Sequence, residues 1–210
     1  MISQLQWEKP QVARRGSESE DPTVTEFDKI RREQSLRAIE GYLDLAMGTC
    51  DQFSLNESLR DNLADRALEI LDKLPTLRQD RAQTYFLRGQ AYRIKEQHRD
   101  AVKQLEKAVA LNADEYLFHL ALAWCYKRCG RLDLAIQVLD DALDVEPDKA
   151  IIHYNLACYW SLAHETHRAL QFLMQSFDLD PSFRDLVPAE TDFDPIREDP
   201  EFRALTSVVV

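Results

Sequence analysis

A chain of 210 residues with 45% apolar content has ample material for a core, and five glycines are few for a sheet-rich or loop-rich protein. Its net charge of −11 argues against general nucleic-acid or anionic-membrane binding, because both rest on dense Lys/Arg faces. No apolar run approaches the roughly 18–20 residues of a membrane span, so neither nucleic acid nor membrane is an expected partner.

Residues 1–24 contain Pro10, Gly16, Pro22 and the run SESED without helical periodicity. They read as a disordered or loosely docked tail, in which Leu5 and Trp7 are the apolar exceptions. The first fifteen residues lack the apolar core of a secretory signal. Three of the four cysteines (Cys125, Cys129 and Cys158) fall inside predicted helices rather than in a loop framework. A cytoplasmic protein is the expectation.

From Thr25 to Met47 the residues Phe27, Ile30, Leu36, Ile39, Leu43 and Met47 recur at helical spacing, with Gly48 as a stop. A second helix is predicted from Glu57 to Leu74, capped by Asn56 and ended by Pro75. Residues 25–80 then form a degenerate helical hairpin with a long turn, GTCDQFSLN.

A 34-residue period governs the next hundred residues. Ala101, Ala135 and Ala169 share one register, and so do Leu105, Leu139 and Leu173. Gly89, Ala123 and Ala157 form a third ladder, Tyr92, Tyr126 and Trp160 a fourth, and Pro147 is matched by Pro181. Such a period predicts stacked helical hairpins, with small residues where helix axes come within about 8–10 Å. First helices are expected near 82–95, 115–129 and 150–163, and second helices near 98–111, 132–145 and 165–179. Residues 81–182 are thus three regular repeats. The segment 183–210 reads as a cap, because an end hairpin has no neighbour to cover it. Within it, Asp194-Pro195 and Asp199-Pro200 each resemble an N-cap with a first-turn proline.

The order Tyr85-x2-Arg88-Gly89-x2-Tyr92, Ala101, Leu105, Ala108 resembles the tetratricopeptide repeat of bacterial-type proteins. Two further copies begin at His119 and His153. Arg88, His119, His153, Ser176 and Ala113 depart from the family pattern. The resemblance implies an all-α solenoid that holds a peptide or partner protein in a concave groove lined by the first helices.

Positions at offsets of 4, 7 and 8 on each first helix share a face. They offer Phe86, Gln90, Arg93 and Ile94 in the first repeat, and Leu120, Trp124, Lys127 and Arg128 in the second. The third offers Tyr154, Cys158, Ser161 and Leu162, with Asn155 beside them. This second apolar face, beside the one that makes the fold, is the expected partner-binding groove. A Trp flanked by Lys and Arg suits an apolar segment with some acidic character. The alternative is a self-associating chain whose groove is filled by its own tail or by a second copy. The family's carboxylate-clamp positions correspond to Phe86, Gln90, Ala121, Ile151 and Asn155, and none of these is a cation.

Catalysis is not expected. Cys125 and Cys129 lack further ligands, and His119 and His153 occupy an aromatic packing slot. His164-Glu165-Thr166-His167 is one residue short of the zinc-protease motif. The acidic tail (Asp192, Asp194, Glu198, Asp199 and Glu201) lacks calcium-loop spacing. No cofactor or metal is therefore expected.

Overall fold

A computed structural model describes residues 25–48, 56–74 and 81–207, which form helical segments and, among the described residues, no strand. In chain order these are α1 (Glu26–Gly48), α2 (Glu57–Lys73), α3 (Arg81–Ile94), α4 (His98–Leu111), α5 (Tyr116–Arg128) and α6 (Leu132–Val145). There follow α7 (Ala150–Leu162), α8 (Thr166–Leu179), the 3-10 helices η1 (Pro181–Ala189) and η2 (Thr191–Ile196), and α9 (Pro200–Thr206). They divide between two compact units, one ending at Asn112 and the other beginning at Ala113. The predicted tail, the turn after α1, Cys50 and Pro75 lie outside the described residues.

In the first unit α1 packs on α2 and α3, and α3 on α2 and α4. Thr25 and Asp28 cap α1 reciprocally: the Asp28 backbone N–H donates to Thr25 Oγ1 at 3.2 Å and the Thr25 backbone N–H to Asp28 Oδ2 at 3.1 Å. Asn56 caps α2 as expected, accepting from the Leu59 backbone N–H at 2.8 Å. The stripe expected on α1 is only partly buried. Ile39, Leu43 and Ala46 form its inner face, whereas Phe27 is 71% and Ile30 48% exposed. Residues 27 and 30 fall on the side of the helix away from 39, 43 and 46, at 100° per residue.

Gly89 and Leu105 show why the repeat needs small residues. A Cβ on Gly89 would sit 2.6 Å from the Leu105 side chain, so α3 and α4 approach as closely as backbone permits. Arg88, the departure from the family's apolar choice, reaches back to Asp72 on α2 with an N–O distance of 2.6 Å.

In the second unit α5 packs on α6, α6 on α7 and α7 on α8. Ala123, Ala135, Leu139, Ala142, Ala157, Ala169, Leu173 and Ser176 are fully buried. The departures His119 and His153 are buried as well. His119 Nδ1 lies 3.3 Å from the Glu115 carbonyl, and His153 Nε2 lies 2.7 Å from that of Pro147. A backbone bond to a carbonyl five residues earlier closes each first helix: Gln97 to Tyr92, Arg131 to Tyr126 and Glu165 to Trp160, all at 2.9 Å. The residue inside each such turn has positive φ: Glu96 (57°), Gly130 (74°) and His164 (60°).

The C-terminal segment is punctuated by three side-chain caps. Asp180 accepts from the Ser182 backbone N–H at 2.9 Å, Glu190 from that of Asp192 at 3.1 Å, and Asp199 from Glu201 and Phe202 at 2.8 and 3.1 Å. The expectation for Asp194-Pro195 is corrected here. Both residues lie within η2, whose cap is Glu190, and Asp194 instead pairs with Arg197 at 2.9 Å. η1 and α9 pack on α8, and η2 packs on α7. Phe183, Val187, Phe193, Ile196 and Phe202 are the buried side of this segment.

Candidate functional site

α5 and α7 are apolar on more than the face that makes the hairpins, so each has side chains left over. On α5 these are Leu120 and Trp124, both half-buried, with Lys127 and Arg128 in the last turn. Four residues after Trp124, the Arg128 guanidinium lies 5.7 Å from the indole ring, a cation–π stack at the helix end. Lys127 turns the other way. Its ammonium lies 5.4 Å from the Tyr159 ring and pairs with the Asp192 carboxylate of η2. Their side chains are only 17% and 12% exposed, so this pair is sheltered from solvent screening in a way surface pairs are not.

The α7 positions depart from expectation. Tyr154 and Cys158 have no exposed surface and Asn155 is 6% exposed, so none of them lines an open groove. The C-terminal segment covers Tyr154 and Cys158. Phe193 meets the Tyr154 ring nearly edge-on, with centroids 5.6 Å apart and planes at 86°, and Phe183 lies on the same ring at 5.2 Å. Asn155 spends its amide on its own helix, donating to the Ile151 carbonyl at 2.9 Å. Phe86 and Gln90, in the first unit, are also buried rather than open, and Gln90 accepts a hydrogen bond from the half-buried Arg93. The expected groove residues are thus divided. Phe86, Gln90 and Arg93 belong to one unit, and the α5 and α7 residues belong to the other.

Burial sets the chemistry of the covered face. It pushes the Cys158 thiol well above its ordinary 9.0, reinforced by the nearby Glu190 and Asp192 carboxylates. Burial likewise raises the Tyr154 phenol above its ordinary 10.0. A thiol held protonated in this way is a poor nucleophile. Two hydroxyls, Tyr154 Oη and Ser161 Oγ, are buried with no hydrogen-bond partner among the described residues.

Residues 93–157 match the family model described as the tetratricopeptide repeat. That stretch of the chain carries the tetratricopeptide repeat. The chain superposes on a crystal structure of MamA with a TM-score of 0.54 at 18% identity, over 77% of this chain and 98% of that one. It also superposes on YrrB, described as a TPR protein with an unusual peptide-binding site. There the TM-score is 0.56 at 20% identity, over 78% of this chain and 88% of that one. At these identities the likeness is one of fold, and that fold is the all-α solenoid of helical hairpins. No curated protein matches the sequence.

Two residues that matter here, Asp192 and Phe193, escape sequence reasoning as site residues. Their signal was local: an acid and an aromatic side by side in Thr191-Asp192-Phe193-Asp194, in a chain whose α5 carries a lysine on an apolar face. The described residues hold no group of three or more metal-ligating side chains, and no described helix is long and apolar enough to cross a membrane. What the face offers is apolar contact area, aromatic edges, one sheltered cation and two unused hydroxyls.

Proposed function

We propose that this chain is a non-catalytic protein-interaction module, an adaptor or scaffold of the cytoplasm, which takes a segment of a partner protein on the face of α5. Leu120 and Trp124 supply the apolar anchor. Arg128 supplies the basic rim for a segment with some acidic character. The observation that carries this reading is Trp124, a large aromatic left half-exposed beside a stacked guanidinium after the hairpin core has been filled. A fold shared with a protein described as having a peptide-binding site supports it.

Replacing Trp124 with Ala is expected to weaken partner capture by about 2 kcal/mol, roughly 30-fold, with little change in melting temperature. Affinity capture with the purified chain and the Trp124→Ala form, beside thermal melts, measures both. A collapse in melting with unchanged capture per folded molecule would make Trp124 a core residue and end the reading.

One observation favours a second reading, in which the chain covers its own binding face. Residues 181–206 already lie over α7 and α8, in keeping with a role for the segment as the cap of the last hairpin. If a second copy covers the α5 face as well, light scattering across concentration finds a dimer that Trp124→Ala dissociates.

A further inference from the structure

The segment that covers α7 has the character of a bound peptide more than of a helical cap. η2 is a single short 3-10 run, and its bonds from Phe193 N–H to Glu190 and from Arg197 N–H to Asp194 are long, at 3.5 and 3.4 Å. Side chains hold it in place. Phe193 is fully buried against Tyr154, and Asp192 sits on Lys127, a residue of a different helix and a different repeat. Arg197 braces the turn from the outside, donating to the Glu190 carbonyl at 2.7 Å.

The fit is also incomplete. Tyr154 Oη and Ser161 Oγ lie on the covered helix, buried and without a partner among the described residues. Native cores pair nearly all such groups, and an orphan hydroxyl in a buried site asks for an acceptor that the present occupant does not bring. The face thus has hydrogen-bonding capacity beyond what residues 190–194 use, and its sheltered cation, Lys127, selects an acid next to the aromatic anchor.

We propose that the α5–α7 face is a binding site for an acidic protein segment carrying an Asp-Phe or Glu-Phe pair, and that residues 190–194 occupy it in cis until such a segment displaces them. This rests on the interaction reading above and names the partner's chemistry. The acid of the pair replaces Asp192 on Lys127, the ring replaces Phe193 on Tyr154, and further acceptors of the incoming segment meet the two hydroxyls. Its apparent affinity is set by the fraction of chains in which the cis segment is released.

The test uses the full chain and a fluorescein-labelled peptide, ETDFDP, followed by fluorescence anisotropy. Asp192→Asn removes the cis charge and keeps the volume. It is expected to bind the peptide about tenfold more tightly than the unmodified chain. Adding Lys127→Glu abolishes that binding, and the peptide ETKFDP restores it. Phe193→Leu, which weakens the aromatic anchor, gives a second variant with the same expected gain. If the folded variants bind neither peptide better than the unmodified chain does, or if both fail to fold, residues 190–194 are integral to the core and the proposal falls. Trp124→Ala measured in parallel separates that outcome from failure of the interaction reading, since Trp124 lies outside the Tyr154–Phe193 contact.

Discussion

Glu96, Gly130 and His164 stand 34 residues apart in the same turn, yet only one of them is the residue that the turn's backbone favours. A left-handed conformation costs an L side chain roughly 1–2 kcal/mol, and glycine avoids most of this. Glu96→Gly and His164→Gly are each expected to raise stability by about 1 kcal/mol, and Gly130→Ala to lower it by a similar amount. Urea melts of the three variants check this. A His164→Gly chain no more stable than its parent would show that the His164 side chain offsets its own strain. The same geometry removes His164 from any metal-motif reading, because it is a turn residue and not part of a helix face.

Among the elements, the C-terminal segment tests how far proline punctuation can be trusted. Asp194-Pro195 and Asp199-Pro200 read alike, and only the second is a cap, because η2 begins earlier, at Thr191, with Glu190 before it. Asp199→Ala is expected to cost about 1 kcal/mol by releasing two backbone donors. Asp194→Ala should cost under about 0.5 kcal/mol, since its pair with Arg197 is largely solvated. Denaturant midpoints of the two variants distinguish them; equal losses would refute the assignment of the cap. In α1 the lesson is similar. Helical spacing correctly placed the element, but Phe27 and Ile30 fit the period loosely, and their exposure reflects which side α2 and α3 pack against.

At the scale of the whole molecule, acid acts on stability in two opposing ways. A net charge of −11 means that protonating carboxylates relieves self-repulsion as pH falls. His119 works the other way. Burial holds its folded value below the ordinary 6.5, so the unfolded chain takes up the proton first. Its contribution is complete above about pH 6.5 and is lost as pH falls from there through the folded value. His119→Gln, which keeps a donor for the Glu115 carbonyl, is expected to lose less stability than its parent between about pH 7 and pH 5. Melting curves at the two pH values measure the difference; parallel losses would mean that His119 is not protonated on unfolding.

What the sequence determined by itself was the periodic part. Ala101, Leu105, Ala135, Leu139, Ala169 and Leu173 had to be buried, because a 34-residue repeat of small and large residues has only one way to stack its hairpins. The helix limits followed from local chemistry, in the Asn56 cap, the Gly130 turn and the proline after α6. The candidate face was legible only as a surplus of apolar positions. Whether those positions stay open depends on chain that is distant in sequence, and helical periodicity carries no information about such chain. Tertiary structure decided that Tyr154 and Cys158 lie beneath residues 181–196 and that Asn155 is buried. It also decided that Lys127 faces Asp192, 65 positions away, while Trp124 and Arg128 remain at the surface. A buried charge must find its counter-charge wherever the chain brings one, and only the fold specifies where that is.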